Sequence, residues 1–271
     1  PGVDPVHGIL SVLRYDGGED LRATRDRFAR VYDYSLEYLP REAVRDRLRS
    51  TRYFQALRDP NAFHFHPLNY LRGLAGAFEA LGGRIFERSR ATSASLEGAA
   101  KTVRTEAGSV TARDVLFCGG GYTDAVVPAL RRSMLPIATY VLLTEPAPDR
   151  IADVIRTTDA VGDNRRAGDY YRVVEDGSRI LWGGKITTRT AEPRDLAERL
   201  RRTMVSTYPQ LDGLGVEVAW SGLMSYARHL MPQIGRLAPG VWHATAFGGH
   251  GMNTTAIGGL VIAEAIAGQS D

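Results

Sequence analysis

A glycine-rich corner near the end of the chain places strong limits on the fold. An apolar run over residues 242–247 leads into Gly-Gly-His-Gly at 248–251, and a helix of small residues follows. Gly268 stands where that helix is expected to stop, because glycine readily adopts the left-handed conformation of a helix C-cap. The pattern predicts a buried strand, a tight corner and a helix. Such a corner either lets a ligand approach the helix N-terminus or is a tight turn without a ligand.

Composition narrows the class of protein. A chain of 271 residues, 44% hydrophobic and 24% charged, can bury a large core in one large domain or two smaller ones. Lys101 and Lys185 are the only lysines, so 34 − 2 = 32 of the basic residues are arginines. Acidic residues are interspersed among them and the net charge is only +3. The sequence therefore predicts a globular protein that does not bind nucleic acid.

Cysteine and histidine usage argue against disulfides and metal sites. Cys118 is the only cysteine, which excludes an intramolecular disulfide, and we interpret it as a buried core residue. The histidines are scattered, so no metal site is predicted. No signal peptide and no apolar run of membrane-spanning length is visible, which predicts a cytoplasmic protein without a membrane partner. The chain begins Pro1-Gly2-Val3 without methionine, and we interpret it as the remainder of a longer protein.

Periodicity predicts an order of helices and strands. Helices are expected over 19–39, where Pro40 would end the helix, over 41–49, from Pro67 to the pair Gly82-Gly83, and over 192–208. Residues 52–66 are expected to form a loop. Strands are expected over 84–86, 91–96, 102–105, 109–111, 135–144 and 216–220, with a hairpin of 170–174 and 179–183. The apolar run 115–118 predicts a buried parallel strand that enters a second glycine corner at 119–121.

Three stretches carry a family resemblance through their order and spacing. The first runs from His66-Pro67-Leu68 through Gly82-Gly83 and Ala91 to Asp114-Val115-Leu116-Phe117-Cys118-Gly119-Gly120-Gly121. The second is Tyr170-Tyr171-Arg172 with Asp176-Gly177 and Leu181-Trp182-Gly183-Gly184. The third is Trp220-Ser221-Gly222, Pro232-Gln233-Ile234-Gly235-Arg236 and the corner at 248–251. Together they resemble the D-amino-acid-oxidase-like family of FAD-dependent oxidoreductases, near its glycine-oxidase and amine- or glutamylputrescine-oxidising branch.

The resemblance implies a mixed α/β (α+β) fold with two functional parts. A discontinuous Rossmann-like FAD-binding part would comprise residues 60–125 and 235–271. Residues 126–234 would form a substrate domain with a mixed or antiparallel sheet, and residues 1–59 would pack on it. The family's N-terminal strand–G-x-G-x-x-G–helix unit and its acidic ribose partner do not occur in this sequence.

The resemblance also implies site residues. The cofactor would contact Ala91, Gly119, Gly120, Gly248, Gly249, His250, Gly251 and Met252. The substrate would contact Tyr171, Arg172, Trp182 and Arg228. His250 would act either as a catalytic base or through its backbone, and no catalytic residue is identified. Strand alternation puts only some of Tyr170, Tyr171 and Arg172 on one face, so packing roles stay open for them, as for Trp182 and Trp220.

The implied function is oxidation of the C–N bond of a small-molecule amine or amino acid. A hydride would pass from the substrate to the flavin of FAD, the flavin would be reoxidised, and water would hydrolyse the imine. Leu223, Met224 and Ser225 stand where amino-acid-oxidising members usually carry an arginine, which favours an amine. The alternative is a non-catalytic fragment or subunit that needs a partner or a missing N-terminal segment. The sequence also leaves open whether the protein forms a homo-oligomer.

Overall fold

The computed structural model describes residues 2–268; Pro1 and residues 269–271, at the ends of the predicted 1–59 and 235–271 parts, lie outside the described residues. The helices are α1 (Gly18–Tyr32), α2 (Arg41–Arg47), α3 (Pro67–Ala80), α4 (Pro128–Ser133), α5 (Pro148–Val154), α6 (Leu196–Thr207) and α7 (Gly251–Ala267). Short 3-10 turns occupy Gly120–Tyr122, Pro209–Leu211 and Gly248–His250.

Fourteen strands accompany the helices among the described residues. They are β1 (Val6–Val12), β2 (Glu37–Leu39), β3 (Ala56–His64), β4 (Ala91–Ser95), β5 (Lys101–Thr105), β6 (Ser109–Ala112), β7 (Val115–Phe117), β8 (Met134–Thr144), β9 (Ala160–Asp163), β10 (Tyr170–Val174), β11 (Arg179–Thr187), β12 (Val216–Ala227), β13 (Gln233–Ala238) and β14 (Val241–Thr245). The mixed α/β class predicted from the sequence is confirmed.

The chain divides into two compact units. The first comprises residues 1–71, 139–186 and 191–221, and the second comprises 72–138, 187–190 and 222–271. The predicted functional parts had bounds at 59, 125 and 234, so each structural unit combines segments from more than one of them.

A mixed eight-stranded sheet organises the first unit, with strand order β12-β8-β11-β10-β9-β1-β3-β2. Alternate side chains of its strands are buried, as expected for a sheet with one face in a core; on β1 these are Leu10 and Val12. Helix α6 covers that core with Leu196, Leu200 and Met204, which recur at helical spacing and are all buried.

Two three-stranded sheets belong to the second unit. One has the order β13-β14-β7, in which β14 pairs parallel to β7 and antiparallel to β13. The other is the antiparallel sheet β4-β5-β6. A small core of Val127, Leu130, Met134, Ala227 and Ala246 lies in the same unit.

The sequence prediction was wrong in two places in the N-terminal third. The helix expected over 19–39 ends at Tyr32, because Asp33 adopts the left-handed conformation with φ 48°, and residues 37–39 form β2 instead. Residues 52–66, expected to be a loop, contain β3. A shift of register in the β1–β3 pairing between His7 and Ile9 accommodates Pro60, which hides the strand from periodicity.

Two further expectations fail elsewhere. Residues 84–86 form no strand; the Arg84 guanidinium instead lies over the Phe86 ring, 4.8 Å from its centroid. Cys118 is exposed rather than buried, because β7 ends at Phe117 and the chain turns outward toward the glycine corner.

Candidate functional site

Two glycine corners lie at the same edge of the β13-β14-β7 sheet. Strands β7 and β14 run parallel, with Val115 opposite Val241 and Phe117 opposite His243. Each strand then enters a glycine turn: φ is 51° at Gly120 after β7, and it is 58° at Ala246 and 59° at Gly248 after β14. The carboxyl edge of parallel strands is where open α/β sheets bind ligands. The structure therefore brings together the two corners that were predicted separately.

The N-terminus of α7 has unoccupied backbone donors. The N-cap residue His250 makes no side-chain capping bond, and the hydroxyls of Thr254 and Thr255 donate to the carbonyls of His250 and Gly251 at 2.7 and 2.6 Å. The first N–H groups of a helix have no partner within the helix. Gly249, His250 and Met252 are exposed here. The free backbone N–H donors and the positive end of the α7 dipole lie at an accessible corner. They would suit the edge of a ligand that carries partial negative charge.

The end of β12 packs against both corners. A Cβ on Gly248 would lie 2.6 Å from the Tyr226 ring, and a Cβ on Gly121 would lie 2.6 Å from the Met224 carbonyl oxygen. The Tyr122 hydroxyl accepts a hydrogen bond from the Leu223 N–H at 3.0 Å. Glycine is therefore required at 248 and 121 by close packing within the protein. Sequence reasoning missed Tyr226, because nothing in the local pattern links it to a corner 22 residues later.

Gly251 differs from those two glycines. A Cβ added there would meet only Phe247 Cβ and Thr255 Cγ2, both at an ordinary 3.8 Å, and its φ of −61° suits any residue. Neither packing nor backbone conformation explains a glycine at this position. An approaching ligand would explain it.

Two buried threonine hydroxyls stand next to the corners. Thr123 follows the corner at 119–121, and Thr245 ends β14 before the corner at 248–251. Both Oγ1 atoms lack a hydrogen-bond partner among the described residues. Buried hydroxyls are normally satisfied. Together with the α7 donors, they give this edge the polar groups that a dinucleotide cofactor requires, so the residues present fit FAD. Ala91 begins β4 in the antiparallel sheet, opposite Thr105, and is half-buried.

Tyr171 and Trp182 lie in the core of the first unit. Their rings stack with centroids 4.3 Å apart at 8°, and the Tyr171 and Tyr208 hydroxyls are 2.7 Å apart. Burial raises the pKa of both phenols well above its usual value. Because both rings are enclosed by protein, Tyr171 and Trp182 are placed to support the sheet rather than to line an open surface.

Tyr170 and Arg172 occupy the opposite face of β10, as strand alternation predicts. The Tyr170 ring lies over Gly183, where a Cβ would be 2.1 Å from the ring, and its hydroxyl is 3.3 Å from Thr139 Oγ1. The side chain is 46% exposed. The prediction considered this phenol together with Tyr171 and Arg172 but did not select it as a substrate contact, although its pairing with a glycine in the predicted hairpin was a usable signal.

Arg172 is held by the segment that follows β3. Its Nη1 donates to His64 Nδ1 at 2.9 Å and to the Phe65 carbonyl at 2.7 Å. His64 Nε2 is 2.8 Å from the Thr158 carbonyl, so the ring carries its proton on Nε2 and accepts at Nδ1. Burial lowers the pKa of His64, which keeps the ring neutral beside the guanidinium. Arg228 is exposed and belongs to the second unit, whereas Arg172 belongs to the first.

Neither a metal-ligand cluster nor a membrane-spanning helix occurs in residues 2–268. No group of three or more histidine, cysteine, aspartate or glutamate side chains is arranged to hold a metal ion there. No helix in the same range combines the length and the apolar character needed to cross a bilayer.

Sequence comparison identifies the family. A family model described as FAD dependent oxidoreductase (DAO) matches residues 3–265. The chain belongs to this family. Gamma-glutamylputrescine oxidoreductase of Escherichia coli strain K12 is 33% identical over 253 residues, which are 93% of this chain and 59% of that protein. A probable oxidoreductase, OrdL, of Haemophilus influenzae is 30% identical over 242 residues, 88% of this chain and 55% of that protein. The chain thus spans a little over half the length of these curated relatives.

Solved structures agree on the fold. Glycine oxidase from Geobacillus kaustophilus superposes with a TM-score of 0.84 and 17% identity, covering 99% of this chain and 73% of that one. L-amino acid deaminase from Proteus vulgaris gives a TM-score of 0.75 and 17% identity, covering 97% and 75%. Both the predicted family and the predicted fold are confirmed.

Proposed function

We propose that this chain forms the greater part of an FAD-dependent oxidoreductase that oxidises the C–N bond of a small amine or amino acid. The observation that carries the proposal is the pair of glycine corners at the carboxyl edge of β7 and β14, with the uncapped start of α7 beside them. FAD, when bound, supplies the acceptor for a hydride from the carbon next to the amine nitrogen, and its reoxidation and hydrolysis of the resulting imine complete the turnover.

The residues at this edge would hold and orient the cofactor. Backbone N–H groups at Gly249, His250, Gly251 and Met252 would donate to acceptors on the cofactor ring, and the α7 dipole would favour negative charge there. Gly119 and Gly120 would let the protein backbone of the corner at 119–121 come close to the ligand. Ala91 would contribute its backbone only. His250 is exposed and ends the 3-10 turn before α7, a position that suits contact through the backbone better than proton abstraction.

Recognition of the substrate is proposed for Tyr170 and Arg172 on the accessible face of β10. The guanidinium is anchored through Nη1 alone, which leaves other donors of its fork for a carboxylate. Tyr171 and Trp182 would support that face from the core, and Arg228 stays a proposed substrate contact. The similarity to gamma-glutamylputrescine oxidoreductase supports an amine, as does Leu223-Met224-Ser225 in place of an arginine. We also propose that the protein is cytoplasmic.

Gly251→Val tests the cofactor assignment. The protein has room for the side chain, so folding should be unaffected, but a ligand that touches this backbone should be excluded. We expect the chain loaded with FAD to show a flavin absorption band after desalting, and the variant to lose at least about nine-tenths of it. Gly259→Val is the matched control, since nothing lies within 4 Å of that position on the same helix. Equal flavin retention in both variants, with unchanged circular dichroism, would overturn the assignment.

A second candidate function is a subunit or fragment that acts only with another polypeptide. The observation that favours it is the exposed apolar surface of the second unit. Leu81 is 89%, Leu260 64% and Ile257 62% exposed, and Leu116 on the edge strand β7 is 40% exposed. Parallel sheets are normally covered on both faces and seldom end in a bare apolar strand. A polypeptide that adds a strand beside β7 and covers α3 and α7 would bury this apolar surface.

A further inference from the structure

The first unit contains a groove lined by arginines that has no role in the proposed oxidation. It has a volume of about 530 Å³. Its floor is formed by Ile151, Ile155 and Val173, and its polar lining includes Arg47, Arg58 and Arg156. We refer to these six residues as the arginine groove. All of them belong to the first unit, whereas both glycine corners belong to the second.

Arg58 is a fixed wall of the groove. Its Nε donates to both carboxylate oxygens of Asp159, at 3.1 and 3.0 Å, and its Nη1 donates to Glu37. Asp159 is 5% exposed and also accepts from the Thr157 hydroxyl. Gly8 lets this carboxylate approach, since a Cβ there would lie 1.7 Å from Asp159 Oδ1. Arg58 is therefore neutralised by its partners and serves to shape the groove.

Arg47 and Arg156 are placed differently. The Arg156 N–H donates to the Arg47 carbonyl at 2.7 Å, which brings the two residues side by side. In the part of the chain that the structure describes, Arg47 forms no ion pair and its Nη1 donates only to the Ala43 carbonyl at 3.2 Å. Arg156 lies 3.5 Å from an oxygen of Asp153 that Arg49 already holds at 2.7 Å. Two adjacent guanidiniums thus keep most of their donors available at the groove.

Acidic groups near the groove do not cancel this charge. Asp159 and Glu37 are paired with Arg58. Glu175, in the turn of the β10–β11 hairpin that places Gly177 at the groove, is paired with Arg179 at 2.7 Å. Asp176 of the same turn is exposed to solvent. The groove lining therefore carries three guanidiniums against one carboxylate.

We propose that the arginine groove binds an organic oxyanion, a carboxylate or phosphate attached to an apolar body. Guanidinium forks match the geometry of both oxyanions, and the isoleucine floor would bury the apolar part. The site is independent of the proposed oxidation, because it uses residues of the first unit that carry no cofactor or substrate role.

Phenyl phosphate and phenylacetate are suitable probes, with benzyl alcohol as the uncharged control. Binding to the full chain would be followed at low ionic strength by the ¹³C-methyl resonances of isoleucine. We expect saturable shifts at Ile151 and Ile155, no shift at Ile234 in the second unit, and none with benzyl alcohol. The stronger of the two anions identifies the oxyanion class. If neither anion, at concentrations up to about 10 mM, produces saturable shifts at Ile151 and Ile155, the proposal is wrong.

Substitution of the two available arginines provides the second measurement. The Arg47→Gln/Arg156→Gln double variant keeps polar side chains but removes both positive charges, and it should weaken binding of the stronger probe by about tenfold or more, because charge-assisted hydrogen bonds are lost. Arg45→Gln is the matched control: Arg45 is an exposed arginine on the same helix α2 and is not part of the groove lining. Equal affinity in the double variant and the wild type, or equal weakening in Arg45→Gln, would show that the groove does not select the anion.

Discussion

At the scale of single residues, the first unit depends on a cluster of buried charges. Asp163 and Asp169 have side chains that are 0% and 1% exposed, and both accept from Arg14 and Arg165. Burial opposes ionisation of Asp163, but hydrogen bonds from Arg165 and Arg14 outweigh it and lower its pKa. Burial raises the pKa of Asp169. The network joins the end of β1 to the β9–β10 connection.

We predict that Asp163→Asn destabilises the protein by about 3 kcal/mol at neutral pH, since it removes a fully buried carboxylate that pairs with both Arg14 and Arg165. Denaturant unfolding at pH 7 measures this. Asp153→Asn is the control, because the Asp153–Arg49 pair is exposed on both sides, at 59% and 47%, and should contribute about 1 kcal/mol or less. Similar losses in the two variants would contradict a special role for the buried network.

The pH dependence follows from the direction of the Asp163 shift. A carboxyl whose pKa is lowered by folding stabilises the folded state above its unfolded pKa of about 3.9, and that contribution is lost as the pH falls through the lower, folded value. Wild-type stability should therefore decline below about pH 4, and the decline should be shallower in Asp163→Asn. The raised pKa of Asp169 acts in the opposite sense and limits the size of the effect.

At the scale of elements, α7 is the helix whose ends were best specified by sequence. Gly268 ends it in the left-handed conformation, with φ 73°, and its N–H bonds back to the last turn. The hydroxyls of Thr254 and Thr255 are turned back to carbonyls, so the first turn stays free for a ligand. The two ends therefore differ: Gly268 closes the helix, whereas the N-terminus keeps the donors on which the proposed cofactor contact depends.

Two glycine-to-alanine changes on α7 should have opposite effects. Gly268→Ala should cost about 1 kcal/mol, because a Cβ disfavours the left-handed C-cap. Gly259→Ala should stabilise the helix by about 0.5 to 1 kcal/mol, since this glycine is exposed and nothing lies within 4 Å of its added Cβ. Thermal unfolding of both variants measures the difference. Effects of the same sign would mean that α7 does not end at Gly268.

At the scale of the whole molecule, the exposed apolar surface of the second unit is the main unexplained feature. Helix α3 has no buried residue among those described, and α7 buries only Gly258 and Ile262. An amphipathic helix ordinarily turns its apolar stripe to a core. Because the chain spans only 59% of the E. coli relative, covering polypeptide is the explanation that we favour.

We predict that the part of the E. coli relative that this chain does not match, supplied as a separate polypeptide, binds the chain. Binding should quench the fluorescence of a hydrophobic dye on the chain and raise flavin retention. Ile257→Asp/Leu260→Asp should abolish complex formation while leaving the circular dichroism of the chain unchanged, since both side chains are exposed. Ser206→Asp, at an exposed position of α6 in the first unit, is the control. A complex that forms equally well with both variants would exclude this surface.

Sequence alone determined the features that depend on local chemistry. Gly268 predicted the end of α7 because only glycine enters the left-handed region without cost. The apolar run at 115–118 correctly predicted strand β7, but the predicted burial was wrong, because β7 is an edge strand on which Leu116 is 40% exposed. The Tyr170–Gly183 hairpin followed from the Asp176-Gly177 turn. The resemblance supplied the family, the cofactor and the corner residues as a set.

Tertiary structure decided what depends on distant pairing. Residues 56–64 become β3 only because β1 and β2 lie on either side of them, and β2 exists only because β3 accepts it. The two glycine corners become one site because β7 and β14 pair across more than a hundred residues. Tyr171 and Trp182 are core residues of the first unit, and Tyr170 is accessible, because packing against Tyr208 decides which face of the sheet is buried.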